Sequence, residues 1–353
     1  MEPGPPNSVF SAFAFIGFVI SLIPLPWHIK GNANVGTCLF MFWSALGCIT
    51  QSINSRVWDG NMDNPAPIWC DISTHAIILG EIIAISSSIL CITRRFYCIV
   101  DQGETATRRE DLIDFSIGFG MPILVVTLSY TVQGHRFDIY EDVGCWPAIV
   151  NTPPSYALVF IWPLVIGLFS GIFGTITMLR CLHHRHRRNA VGTLTYEPHI
   201  FRQDRSLFIH CMLFCNIGTV LTFPFGGYLI YLNVTSPSFV PSVSWTDIRT
   251  DFPHIDQYPS DVWIADSQMR SNLTLLRWAT VLWAFAFFAL FGFAKEALRH
   301  YSMAWQSLAS CRILSQIVWL PSRERCPAGE DELPFSEVGL VLLERDFGQE
   351  LRR

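Results

Sequence analysis

The chain has 353 residues, half of them hydrophobic and only 15% charged, with a formal net charge of −5. That composition is the mark of a membrane chain and removes most soluble functions, and the charge pattern implies no nucleic-acid partner. The length fits one membrane domain, residues 1–300, followed by a short tail, 301–353, with no loop large enough to form a separate core.

Seven apolar stretches succeed one another: Val9–His28, Val35–Val57, Ile68–Val100, Leu112–Val132, Tyr156–Leu182, Ser206–Leu232 and Leu273–Ala297. Each holds about 20 residues or more, enough helix to cross a hydrocarbon core of ~30 Å. They are too long and too uniformly apolar for barrel strands. The expected fold class is therefore all-α, a seven-transmembrane helix bundle. Met1–Ser8 lacks a charged leader region and a cleavage site, so the first stretch reads as a retained helix. No repeat, internal or inverted, is apparent.

The loops set the direction. Of the 24 Lys and Arg residues, nineteen collect on one side if the first helix runs inward. They are Lys30, then Arg94, Arg95, Arg108 and Arg109, then the loop from Arg180 to Arg205, then the tail from Lys295. The remaining five, Arg56, Arg136, Arg249, Arg270 and Arg277, fall at the other side. The positive-inside bias predicts an external N-terminus and a cytoplasmic C-terminus. The predicted outer loops are acidic, with Asp59, Asp63, Asp138, Glu141, Asp142, Asp247, Asp251, Asp256, Asp261 and Asp266. The net charge thus averages a basic inner face and an acidic outer one.

Within the third stretch, Asp71 and His75 stand four residues apart near the outer end, so one helix face would carry both toward a ligand entrance. Glu81 lies mid-span, where a carboxylate is costly and needs a partner; His210 and Asn216 in the sixth stretch are candidates. At the inner end, Arg94 and Arg95 suit the helix macrodipole and can snorkel to headgroups, or can face a cytoplasmic partner. Pro24, Pro122, Pro163 and Pro224 are candidate kink points. Of eleven cysteines, nine lie in spans or on the cytoplasmic side. Cys70 and Cys145 alone reach the oxidising side, where they would either form a disulfide or stand as two unpaired thiols. His183-His-Arg-His-Arg-Arg188 looks like a metal tract, but its arginines repel a cation. It reads instead as a basic extension of the fifth helix near anionic lipid and a docking partner, with Arg185, Arg187 and Arg188 as contacts. No metal site and no cofactor are expected. No hydrolase, metalloprotease or nucleotide-binding motif is present, so an enzyme is not expected. Neither lysine, Lys30 nor Lys295, sits mid-membrane, which disfavours a retinal protein, and Glu81 alone is thin support for a transporter or channel.

Several ordered strings narrow this frame. Ile23-Pro-Leu-Pro-Trp-His28 and Asn34-Val-Gly-Thr-Cys-Leu-Phe-Met-Phe-Trp-Ser-Ala-Leu-Gly-Cys48 closely resemble the first two spans of the fungal a-factor-type mating pheromone receptors. So do Trp69-Cys-Asp-Ile-Ser73, Leu90-Cys-Ile-Thr-Arg-Arg95, Asp138-Ile-Tyr-Glu-Asp-Val-Gly-Cys-Trp-Pro147, and Arg277-Trp278 with Ala286-Phe-Phe-Ala-Leu-Phe-Gly-Phe-Ala294. The resemblance covers about residues 9–300. It implies a plasma-membrane G-protein-coupled receptor that binds a farnesylated peptide pheromone and activates a heterotrimeric G protein through its α subunit, feeding a mating MAP-kinase cascade. An orphan receptor with constitutive signalling is the alternative. Asp71, His75, Glu81, Asp142, Trp146, Tyr156 and Arg277 are the candidate ligand contacts, and Arg94 and Arg95 join the basic loop as G-protein contacts. Membrane lipid and a second copy, as a homodimer, are further partners. Asn233-Val-Thr235 and Asn272-Leu-Thr274 are candidate glycosylation sequons on the outer side. The Asp/Glu-Arg-Tyr and Asn-Pro-x-x-Tyr motifs of animal receptors are absent.

Overall fold

The computed structural model describes residues 7–30, 34–102, 107–191, 205–235, 252–292 and 302–303. The chain divides into two compact units, Met1–Ser302 and Met303–Arg353. The first unit is mostly helical, and five of its helices are long and apolar enough to cross a membrane.

Helix α1, Asn7–Leu22, turns Phe10, Ser11, Ala14, Gly17 and Ser21 inward at helical spacing. Small residues let two backbones approach closely where no water drives helices together. The partner is α3, Val35–Val57. Ser11 and Ser52 exchange hydroxyl-to-carbonyl hydrogen bonds of 3.3 and 3.1 Å, and Gly17 lies against Cys48. The first apolar stretch is not one helix to His28. It stops at Leu22, and α2, Leu25–Lys30, starts beyond Pro24, whose ring cannot continue the ladder. Asn34 caps α3, its side chain accepting from the Gly36 amide at 2.9 Å.

The third stretch is continuous from residue 67 to 102 but changes pitch. Short α4, Pro67–Asp71, leads into a π-helical segment, Ile72–Leu79, and then α5, Gly80–Gln102. Thr74 donates to the Cys70 carbonyl at 2.7 Å within that looser turn. This is the central element: it packs against α3, α6, Arg108–Ser129, α8, Trp162–Val191, and α9, Arg205–Val234. Its apolar window is 78% buried, against 28% for α6, α8 and α11, Ser267–Phe291. The exposed surface of α6 and α8 is a belt of Leu112, Phe115, Ile123, Leu168, Phe169, Ile172 and Leu179, as lipid-facing helices require. Pro122 and Pro224 sit inside α6 and α9, which continue through them. Pro163 falls in the first turn of α8. Ahead of α8, α7, Pro153–Ser155, runs into a second π segment, Tyr156–Phe160. The last stretch starts earlier than Leu273: Asp266 caps α11 by accepting from the amides of Gln268 and Met269 at 2.9 and 3.1 Å. Its expected end, 293–297, lies outside the described residues.

A three-stranded sheet, unforeseen in the loops, closes one end of the bundle. Its order is β2 (Gly144–Trp146), β1 (Phe137–Tyr140), β3 (Ile255–Tyr258), with β1–β2 antiparallel and β1–β3 parallel. Phe137, Ile139 and Cys145 pack with Trp58 and Cys70. Tyr140 and Val143 pack with Leu273 and with Trp263 of α10, Ser260–Ala265. The hairpin turns at Asp142, in left-handed backbone, and at Gly144 with φ +95°. A Cβ on Gly144 would stand 2.7 Å from that of Asn54, whereas Gly60, φ +67°, faces open space.

The two glycines make a paired test. Gly60→Ala should cost only the left-handed strain of about 1 kcal/mol. Gly144→Val adds an overpacking cost of about 1–3 kcal/mol, so its melting temperature in detergent should fall well below that of Gly60→Ala. Equal melting of the two variants would mean that the hairpin does not press on α3 at Asn54.

Candidate functional site

The sheet end gathers most of the ligand candidates, each with a place already defined. Asp71 leaves the helix to meet Arg136, Nε to Oδ1 at 2.8 Å and Nη2 to Oδ2 at 2.5 Å, a bidentate pair that joins α4 to the loop before β1. His75 turns back on its own helix, Nδ1 lying 3.0 Å from the Asp71 carbonyl and 2.9 Å from the Thr74 hydroxyl. The Asp71 carboxylate is thus taken by Arg136, while His75 stays against the Asp71 backbone one turn on. His75 also lines a small recess with Leu79, Ser129, Gln133 and Ala148. Cys70 and Cys145 are joined as a disulfide, Cα to Cα 5.3 Å, tying α4 to β2. Asp142 serves the hairpin: its amide donates to the Trp58 carbonyl and its carboxylate accepts from the Gly60 amide, both at 2.9 Å. Trp146 packs beside Tyr140 and Trp263. The Tyr156 hydroxyl donates to Asn151 at 2.6 Å, and Asn151 donates to the Asn233 carbonyl at 2.6 Å. Asn233 and Asn272 both sit within helices, and the Asn233 amide donates to the Leu229 carbonyl at 2.8 Å.

Arg277 is unlike these. Its guanidinium is buried between α11 and α1, 4.0 Å over the Phe10 ring. Nη2 donates to Asn7 Oδ1 at 3.3 Å, while Nε has no partner among the described residues. A buried cation with an unsatisfied donor is a candidate for recognising an acceptor on a ligand.

Glu81 is 3% exposed and lies directly over Gly47, where a Cβ would meet its carboxyl. Its hydrogen-bond partner is Thr280 of α11, with Cys48 beside it. Asn216 packs over Gly174, and the His210 side chain lies outside the described residues. Glu81 thus joins α3, α5 and α11 at mid-bundle.

At the opposite end, Arg94 and Arg95 turn to α6 rather than outward. Arg94 bonds Asp114 through Nε at 2.9 Å and Nη2 at 2.5 Å, and also pairs with Glu110. Arg95 pairs with Asp111. Asp114 is fully buried, and Arg94 and Arg95 are nearly so. Thr107 caps the α6 N-terminus, accepting from the Glu110 amide at 3.4 Å. Acids in that first turn also suit the helix dipole. Reading the sequence alone misses these acids. The available signal is a short connection between two helices with Arg94-Arg95 on one side and Glu110-Asp111 and Asp114 at helical spacing on the other. Arg180 stacks over Tyr97 at 5.1 Å. The side chains of Arg185, Arg187 and Arg188 lie outside the described residues.

One group at the sheet end has the donors for a metal. His135 Nε2 lies 2.5 Å from Asp138 Oδ1 and 3.5 Å from Asp256 Oδ2, and His254 Nε2 lies 2.9 Å from Asp256 Oδ1. Burial works against the His135 imidazolium, but the Asp138 hydrogen bond and the two carboxylate charges outweigh it and raise its pKa. Burial raises the Asp138 carboxyl, opposed by His135.

The pheromone A receptor family matches the chain over residues 9–311. Among curated relatives, the pheromone B alpha 3 receptor of Schizophyllum commune is 38% identical over 98% of this chain and 55% of its own length. The pheromone receptor 1 of Mycosarcoma maydis is 31% identical over 85% of this chain and 84% of its own. The pheromone a factor receptor of Saccharomyces cerevisiae is 20% identical over 86% and 62%. The chain spans about half the length of the Schizophyllum commune relatives it matches. No solved structure matches.

The α5–α6 pairing makes a stability prediction. Arg94→Ala strands the Asp114 carboxylate in the bundle, and breaking a buried pair from one side costs about 3–5 kcal/mol. The variant should melt well below the parent in detergent, and the exposed control Arg109→Ala should not. Equal melting would show that the pairs contribute nothing.

Proposed function

Because the chain belongs to the pheromone A receptor family, we propose that it is a seven-span receptor of the plasma membrane that binds a farnesylated mating peptide. Binding activates a heterotrimeric G protein through its α subunit and, through it, the mating MAP-kinase cascade. The family match, which takes in every long helix from α1 to α11, carries this reading. Beyond the five helices that satisfy length and composition, α1, sixteen residues, and α9, thirty residues, support a count of seven. The charge bias of the loops supports an external sheet end and a cytoplasmic Arg94 end.

A lipidated peptide partitions into the bilayer with ~0.8 kcal/mol per buried CH₂. The acidic rim of Asp59, Asp63, Glu141, Asp261 and Asp266 draws a basic peptide and raises its on-rate. Arg277 offers its unsatisfied Nε to a ligand acceptor. The disulfide and the Asp71–Arg136 pair couple the sheet to the start of the central helix, so a ligand on the sheet acts on α4 and α5 directly. A ligand changes the bundle only by favouring one packing over another. The packing in reserve here is the one in which Arg94 and Arg95 leave α6 and become available, with the basic extension of α8, to the G protein.

A reporter yeast lacking its own receptor tests the reading. Synthetic farnesylated peptides should trigger a response that requires the G-protein α subunit, with the unlipidated peptide far weaker. Silence toward every lipidated peptide despite surface expression, or a response that persists without the α subunit, would overturn it. In the same assay Arg277→Ala should lower potency about tenfold, equivalent to ~1.4 kcal/mol, with Arg277→Lys intermediate. Unchanged potency would remove Arg277 from ligand recognition.

A further inference from the structure

We propose that the sheet end carries a divalent transition-metal site, of the Zn²⁺ class, formed by His135, Asp138 and Asp256, with His254 holding Asp256 by a hydrogen bond. The backbone sets it up. In the parallel β1–β3 pair, Asp138 stands directly opposite Asp256. Like charges at matched positions of neighbouring strands repel, so this register favours a cation between them, either the His135 imidazolium or a metal ion that replaces its proton. Each carboxylate has an imidazole at its side, His135 on Asp138 and His254 on Asp256. The ligand atoms of His135, Asp138 and Asp256 all lie within 4.8 Å of one another. Two donors at ~2.1 Å from a tetrahedral Zn²⁺ stand ~3.4 Å apart, and His135 Nε2 and Asp256 Oδ2 are 3.5 Å apart. The donor set of one imidazole and two carboxylates includes a nitrogen and suits Zn²⁺ over Ca²⁺ or Mg²⁺, which take oxygen alone. Asp138 is 8% exposed and anchors the site from the bundle side. His254 and Asp256 have side chains 55% and 36% exposed and leave a path for the ion. The Tyr140 and Tyr258 hydroxyls donate to Asp138 Oδ2 and Asp256 Oδ2 at 3.4 and 3.5 Å and orient the ligands.

Two segments far apart in sequence would be joined by the ion: the one after α6 and the one before α10. It would hold β3 on β1 from the side away from the disulfide, which secures β2. A metal there therefore stiffens the surface that the proposed ligand must engage. Metal binding itself does not depend on the receptor reading.

The test uses the full chain purified in nanodiscs, with Zn²⁺ binding measured by competition against a chromophoric chelator and Co²⁺ replacing Zn²⁺ for its ligand-field spectrum. One equivalent of Zn²⁺ should bind, with a tetrahedral Co²⁺ spectrum. Affinity should fall at least ~10-fold in His135→Ala and in Asp256→Asn. His254→Ala, at the exposed imidazole hydrogen-bonded to Asp256, keeps the test valid if the other two fold poorly and should also weaken binding. Replacing His183, His184 and His186 by alanine should leave the bound equivalent in place. No stoichiometric binding, or binding that survives the loss of His135 and Asp256 together, would overturn the site and leave the cluster as proton-bridged His–Asp pairs.

Discussion

A helix bundle in lipid has no water to satisfy its polar groups, so each buried charge must find its partner inside the protein. That constraint falls hardest on the chain's third apolar stretch, residues 67–102, and the rest of the structure is arranged around it. The stretch carries Asp71 at one end, Glu81 in the middle, and Arg94 and Arg95 at the other. Each is answered by a different element: Arg136 before β1, Thr280 on α11, and the acids of α6. The burial of this helix is the consequence. A segment with ionisable groups at three levels cannot face lipid, so α3, α6, α8 and α9 surround it.

The same arrangement links the two ends. The disulfide and the Asp71–Arg136 pair fix the helix to the sheet, while the far end is held by ion pairs, which are directional and strong when buried but separable. Between them the π-helical turn at Ile72–Leu79 offers a place where pitch can change without breaking the helix. A structure fixed by a covalent bond at one end and by charges at the other can transmit a displacement along its axis. In the receptor proposed here, the fixed end would accept the input and the charged end would switch between two arrangements.

Much of this is legible in the sequence because hydropathy is local. The long stretches appear as helices at nearly the expected places, and the ordered strings around Trp69, Arg94 and Cys145 carry the family resemblance that the comparisons show. What escapes is non-local. Phe-Asp-Ile-Tyr and Ile-Asp-Gln-Tyr are only four residues each, and the second becomes a strand by pairing with the first across more than a hundred residues. The partners of Glu81 and of Arg94 lie on other helices, and no helix pattern names them. Pro24 breaks its helix as expected, while Pro122 and Pro224 stay inside theirs, since neighbouring helices can hold a membrane helix through a proline.

If ligand binding at the sheet end releases α5 from α6 at the other, the two helices must separate when the peptide arrives. Spin labels at Cys98 on α5 and at a cysteine replacing Leu112 on α6, with other accessible cysteines removed, report that separation by pulsed electron resonance in nanodiscs. Adding the farnesylated peptide that activates the receptor should move the distance distribution outward by several ångströms, toward that of an Asp114→Asn variant. An unchanged distribution in a receptor that still drives nucleotide exchange on its G protein would show that the signal does not pass through the α5–α6 pairs.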